Sequence, residues 1–345
     1  MSGVGDLLTH SCDADRGIHR RRRGRGFTYV DHRGARITDP ETLARIRSLA
    51  IPPAWTDVWI CVDATGHIQA TGRDAKKRKQ YLYHRKWREF RDAAKFQELV
   101  EFGEALAALR KRVDADMRSP RLSLDRVVAT VVWLLDATLI RVGNDEYVHS
   151  GESFGLTTLR DRHATIEGAE LQFRFPGKSG KPHDLVVHDR RVANIVRRCR
   201  ELPGQQLLQY VDGDEVRSIG SRDVNAYIGL VTGADYTSKT FRTWGASTVA
   251  FGHLRRLDPA NGREHDAQRA EAVRIAAAQL HNTPAVCRKS YIHPAILADD
   301  RDELDRLIER SRANAARASR WMDADERALL KFLTAAERAD RSLAA

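Results

Sequence analysis

Apolar residues along the 345-residue chain change their spacing near residue 95. Before it, short runs at 27–30, 58–62 and 67–70 read as strands, the last two separated by the Thr65-Gly66 turn. They predict a small, largely antiparallel domain over 26–95. Residues 76–95 contain neither proline nor glycine and predict a helix leading into a second domain. Residues 1–25, entering the arginine and glycine run of 19–26, read as a flexible basic segment that an anion would order.

From residue 96 the spacing is mainly helical. Residues 96–117 are amphipathic, and 124–140 are so apolar that they predict a buried helix of the main core. Beta signals at 155–159, 171–175 and 184–187 predict a three-stranded element. Helical patterns resume at 189–201, 221–231, 237–253 and 264–281. Thr283-Pro284 supplies a cap and a first-turn proline for a helix carrying Tyr291, with Pro294 as its expected end. Two further patterns, 301–319 and 323–339, predict a helical extension over 301–345. It would pack on the second domain (96–300) through Leu304, Leu307, Ile308, Leu329, Leu330 and Leu333. The fold class is α+β: a small antiparallel β-rich domain followed by a mainly α-helical one with a three-stranded β element.

Charge narrows the partner. The net charge is +11, and residues 16–95 hold 20 basic against 8 acidic side chains, whereas 300–345 hold ten of each. A basic front attracts a polyanion, and nucleic acid is the commonest large one; a solubilising surface is the alternative. The most apolar stretch, 127–140, is too short to span a membrane and contains Asp136, and no signal-like apolar region opens the chain. Cys12, Cys61, Cys199 and Cys287 are too scattered for a disulfide framework or zinc pattern, which fits a reduced cytoplasm.

Candidate chemistry lies in the second half. Arg141 follows the apolar helix, and Lys178 sits in the hairpin Pro176-Gly177-Lys178-Ser179-Gly180-Lys181. Lys239 and Arg242 are three apart on one helical face, and Asn282 precedes the helix bearing Tyr291. Each has a structural alternative: a cap for Arg141 or Asn282, a surface lysine for Lys178, a packing role for Arg242 beside Trp244, a core site for Tyr291. Gly177-Lys178-Ser179 ends like a phosphate-binding loop, but the glycine such a loop needs at 172 is Gln172, so nucleotide dependence is unsupported.

Together, four segments in this order resemble type IB DNA topoisomerases of the compact poxvirus and bacterial kind, over about residues 25–300. They are Ile140-Arg141-Val142-Gly143-Asn144, the lysine hairpin from Phe175 to Lys181, Lys239-Thr240-Phe241-Arg242-Thr243-Trp244-Gly245, and Asn282-Thr283-Pro284 through Tyr291. The resemblance implies a catalytic domain at 96–300 and two domains clamping duplex DNA. It implies a monomeric, cytoplasmic, nucleoid-associated enzyme that relaxes supercoils without metal or nucleotide cofactor. Tyr291 would form a 3'-phosphotyrosyl bond, Arg141 and Arg242 would hold the nonbridging oxygens, and Lys178 would be the general acid, with Lys239 as a partner in proton transfer. Asn282 departs from the histidine of the poxvirus form: an amide donates a hydrogen bond but carries no charge. Lys76, Lys77, Arg78, Lys79, Gln80, Tyr81 and Tyr83 resemble the family's front DNA-contact segment. Tyrosine recombinases are the nearest alternative, but they carry a histidine where Lys239 stands; a noncatalytic DNA-binding protein is another.

Overall fold

The computed structural model describes residues 8–144, 153–257, 262–298 and 319–343. Two units divide the chain, Met1–Phe96 and Gln97–Ala345, each around its own apolar core.

The first unit is an antiparallel sheet in the order β2-β1-β3-β4-β5. Its strands are β1 (Gly17–Arg23), β2 (Gly26–Val30), β3 (Thr56–Cys61), β4 (Ile68–Arg73) and β5 (Lys79–Tyr83). Helix α1 (Pro40–Ser48) enters on Asp39, whose carboxylate accepts the Thr42 amide at 2.8 Å, with Pro40 in the first turn. Ile18, Val58, Ile60 and Ala70 of the sheet bury against Ile46 of α1.

Two expectations for this unit are corrected. The arginine run is not a flexible segment but most of β1 and its turn into β2. Gly17 leaves room for the Trp59 indole, and Arg20 donates to the carbonyls of Ile51, Pro52 and Trp55 at 3.3, 3.0 and 2.6 Å. Nor is 76–95 one helix: residues 79–83 form β5 on the edge of the sheet, and α2 (Arg85–Gln97) starts only afterwards. Asp74 makes the difference by accepting the amides of Lys76 and Arg78 at 2.9 and 3.0 Å, a turn that folds the chain back onto β4.

The second unit is mainly helical. Its described helices are α3 (Leu99–Asp116), α4 (Leu124–Thr138), α5 (Arg190–Arg200), α6 (Ser221–Thr232), α7 (Ser238–Leu254), α8 (Gly262–Gln279), α9 (Pro284–Ser290) and α10 (Ala324–Leu343). A three-stranded sheet is made of β6 (Ala164–Glu167), β7 (Glu170–Pro176) and β8 (Pro182–His188), and β9 (Gln209–Asp212) pairs with β10 (Glu215–Ser218). Residues 155–159, expected as the first strand of the sheet, instead hold a 3-10 turn, Leu156–Thr158, and β6 takes that place. The amides of Leu156 and Thr157 are bonded to the carbonyls of Arg141 and Val142 at 3.0 and 2.7 Å, so they are unavailable to a sheet.

Helix α4 is buried at Val127, Val128, Val131, Val132, Leu134 and Leu135. Asp136, the one acid in its last turns, accepts Arg110 Nε and Nη2 at 2.6 and 2.8 Å, and Arg110 also donates to Glu326 of α10. Glu326 accepts the Trp244 indole at 3.0 Å as well. Leu329, Phe332 and Leu333 of α10 are buried in the same core as Phe102, Phe241 and Phe251, with Leu330 packed partly against it. Leu304, Leu307 and Ile308, and most of the helix expected over 301–319, lie outside the described residues. Among the described residues no helix is long and apolar enough to cross a membrane.

Candidate active site

Arg141, Arg242, Asn282 and Tyr291 come from four places in the chain, and local structure explains how each arrives. Helix α4 ends on Leu139, in the left-handed region at φ 54°, and the chain turns out of the core with Arg141 two residues on. Backbone packing holds this turn so closely that a Cβ on Gly155 would stand 2.6 Å from the Arg141 carbonyl oxygen and 2.5 Å from the Gly143 amide nitrogen. Helix α8 ends in the same fashion: His281 is left-handed at φ 50°, and the Asn282 amide bonds back to the Ala277 carbonyl at 2.9 Å. Thr283 then caps α9 through the Val286 amide, with Pro284 at its first position.

Tyr291 is not inside α9 but ends it, and Pro294, expected to stop the helix, instead opens the 3-10 turn Pro294–Leu297. Cys287 and Ile292 are buried, and the Cys287 carbonyl accepts the amides of Tyr291 and Ile292 at 2.9 and 3.2 Å. Ser247 of α7 adds a clasp, donating to the Tyr291 carbonyl at 3.3 Å and accepting the His293 amide at 3.0 Å.

Arg242 lies one turn after the start of α7 and is 3% exposed. Its Nη1 donates to the Leu139 carbonyl and its Nη2 to the Leu280 carbonyl at 3.0 Å, so it ties together the ends of α4 and α8. The guanidinium carbon lies 5.2 Å from the centre of the Tyr291 ring. Arg141 Nη2 donates to Asn282 Oδ1 at 2.6 Å. Because arginine only donates, this bond fixes which end of the amide is oxygen. Among the described residues neither arginine pairs with a carboxylate, and two buried donors, Arg242 Nε and Asn282 Nδ2, have no acceptor.

The electrostatics follow from that arrangement. Burial, and then the nearby Arg141 charge, lower the Arg242 pKa to about 10. Burial alone would raise the Tyr291 phenol, but Arg242, Arg141 and Lys239 outweigh it and hold the phenol below its ordinary value. Lys239 itself is exposed in the first turn of α7.

Lys178 is not in this group. It is exposed in the turn joining β7 to β8, where Ser179 and Gly180 both have positive φ, and among the described residues it bonds to none of the other four. What connects its hairpin to the site is a residue the sequence reading missed. His183, 5% exposed, stacks on Phe175 at 4.7 Å between ring centres and meets His281 at 4.1 Å. A Cβ on Gly177 would fall 2.4 Å from the His183 ring, so that glycine lets the hairpin close over it. Burial, then His281, Arg141 and Arg242, lower the His183 pKa to about 4. The available signal was parity: His183, Leu185 and Val187 alternate with outward positions along β8. His281 packs its ring against His183, and it is Asn282, not His281, that bonds to Arg141.

In the first unit, Lys76 and Lys77 are exposed in the turn, and Lys79, Tyr81 and Tyr83 share the outward face of β5. Tyr81 and Tyr83 stack at 6.0 Å, and Lys79 reaches Asp13 at 2.6 Å. Arg78 and Gln80 turn instead to Asp74, at 2.8 and 3.1 Å.

Comparison with known proteins places the chain in a family. Residues 84–317 match the catalytic core of eukaryotic DNA topoisomerase I, and residues 26–74 match the N-terminal domain of bacterial DNA topoisomerase IB. The chain belongs to the type IB DNA topoisomerase family. Among family members, the DNA topoisomerase 1B of Acanthamoeba polyphaga mimivirus is 31% identical over 285 residues, 80% of this chain and 85% of the viral one. DNA topoisomerase I of Monkeypox virus and DNA topoisomerase 1B of Vaccinia virus (strain Copenhagen) are each 27% identical over 149 residues. Those matches take in 41% of this chain and 47% of each poxvirus relative, about half its length.

Proposed function

We propose that this protein relaxes supercoiled DNA by cutting and rejoining one strand through Tyr291. The observation that carries the reading is the pair of arginines without carboxylates, with two buried donors lacking acceptors, gathered around a tyrosine whose phenol they acidify. Buried cations and donors left without partners are costly in a resting fold, and an anion with several oxygens relieves that cost. A DNA phosphate fits, and it is also the electrophile a tyrosine needs held still.

In this reading the phenol loses its proton to water and its oxygen attacks phosphorus. Arg141, Arg242 and Asn282 donate to the nonbridging oxygens as their charge grows. The bond to the 5' oxygen breaks, and that oxygen takes a proton from Lys178, with Lys239 in support. One phosphodiester has become another, so the free 5' end rotates and attacks in reverse without nucleotide or metal. The two units would act as a clamp on one duplex, with Lys76, Lys77, Lys79, Tyr81 and Tyr83 touching phosphates and carrying little sequence information.

Plasmid relaxation tests the reading. The purified protein, acting as a monomer, is expected to relax plasmids of unrelated sequence in EDTA without ATP. Recombined circles, or relaxation confined to one site, would point to a recombinase instead.

A further inference from the structure

The arginine run is left over once the site is assigned, and its geometry gives it a task of its own. Strand β1 pairs with β3 only through Gly17, Ile18 and His19, whereas its pairing with β2 continues to Arg23. The stretch from Arg20 to Phe27 is therefore a two-stranded ribbon that runs on beyond the third strand. Its root is secured: Arg20 donates to three carbonyls of the α1–β3 connection and lies 4.2 Å from the Phe27 ring centre.

Beyond that root, Arg21, Arg22, Arg23 and Arg25 are all exposed, and none forms an ion pair among the described residues. Other exposed arginines do, as Arg85 with Glu89, Arg112 with Asp116 and Arg217 with Glu215. Acids on the strand opposite would stabilise a cationic strand through cross-strand pairs. Here the cross-strand partners of Arg21, Arg22 and Arg23 are Thr28, Phe27 and Gly26. Four like charges on one tip repel each other in the free protein, and a polyanion laid against them relieves that repulsion.

We infer that the β1–β2 ribbon is a phosphate-gripping arm for duplex DNA, its four arginines contacting the backbone beside a groove wide enough for such a ribbon. A two-stranded ribbon is among the elements the major groove of B-DNA admits, and arginine forks match phosphate oxygens. The arm adds affinity and no chemistry. This inference rests on the DNA-binding part of the proposed function and is independent of the covalent step.

The test is equilibrium binding to a short duplex between about 50 and 200 mM salt, using full-length Tyr291→Phe protein so that cleavage does not intrude. Replacing Arg21, Arg22, Arg23 and Arg25 by Gln should reduce the slope of log K against log salt by about 3 to 4, since each lost phosphate contact removes about 0.9. Replacing the same four by Lys should keep most of the slope, and it guards against a misfolded Gln variant. A slope unchanged in the Gln variant, or lost equally in the Lys variant, would overturn the inference. If the parent protein fails to bind duplex DNA, the proposed function falls with it; if it binds and only the ribbon substitutions are silent, the inference alone falls.

Discussion

Arg141 Nη2 lies 2.6 Å from Asn282 Oδ1, and this bond turns the amide nitrogen of Asn282 to a buried position without an acceptor. In the proposed reaction this leaves the Asn282 amide free to donate to a phosphate oxygen, with its orientation set by an arginine of the same site.

The pairing predicts an order among substitutions at 282. Asn282→Ala removes one donor and should slow single-turnover cleavage by about 10²-fold, the usual cost of one donor to developing charge. Asn282→Asp should be slower still, since a carboxylate would pair with Arg141 and repel the phosphate. An aspartate variant as fast as wild type would remove Asn282 from the anion site.

Arg242 has two jobs, which a stability measurement separates. Arg242→Ala leaves the Leu139 and Leu280 carbonyls without their donor and should cost roughly 2 kcal/mol or more in unfolding free energy. Arg141 is only half-buried, and Arg141→Ala should leave the melting temperature nearly unchanged while slowing cleavage. With Arg242 gone, Tyr291 loses its largest acidifying neighbour and the phenol pKa should rise, so the pH–rate profile should move to the alkaline side. An unmoved profile would mean that Arg242 does not acidify the nucleophile.

Lys178 is exposed at a hairpin tip, so its proposed role as acid is separable from attraction to DNA. On DNA whose 5' bridging oxygen is replaced by sulfur, the leaving thiolate needs little protonation. Lys178→Ala should therefore cleave slowly on ordinary DNA and recover strongly on the sulfur substrate, whereas Arg242→Ala should recover much less. Single-turnover rates at saturating enzyme decide it, and no rescue of Lys178→Ala would end the general-acid assignment.

His183 gives a pH prediction with a definite sign. Its folded pKa of about 4 lies below the ordinary 6.5, through burial and then the neighbouring His281, Arg141 and Arg242. The unfolded chain thus takes up a proton first. The stabilising contribution of the neutral ring is complete above pH 6.5 and is lost as the pH falls towards 4. His163 and His293, also lowered to about 4 mainly by burial, act in the same direction. His183→Phe keeps a flat ring against Phe175 and should make the fall in melting temperature across this window shallower. A fall as steep as wild type would show that His183 does not contribute.

Much of this was legible from side-chain spacing, where one element decides the outcome alone. The apolar run of α4 dictates a buried helix and hence where Arg141 emerges, and Thr283-Pro284 marks the start of α9 without reference to anything distant. What escaped depends on partners remote in sequence. Arginines 20–23 suggest a loose segment until the carbonyls 31 to 35 residues later that hold Arg20 are known. Asp136 is tolerable in an apolar helix only because of Arg110, 26 residues away, which Glu326 also holds from 216 residues away. His183 earns its place by parity on β8 and by a ring contact with His281, and only the first of these is written in local sequence.

The central claim is that Tyr291 is the nucleophile, and trapping the covalent intermediate tests it most directly. A duplex nicked so that the short fragment bearing the freed 5' hydroxyl diffuses away should leave the protein joined to a DNA 3' end. Digestion and mass spectrometry should then place the phosphate on the peptide containing Tyr291, and Tyr291→Phe should bind the same duplex and give no adduct. An adduct on another residue, or one formed undiminished by Tyr291→Phe, would contradict the account.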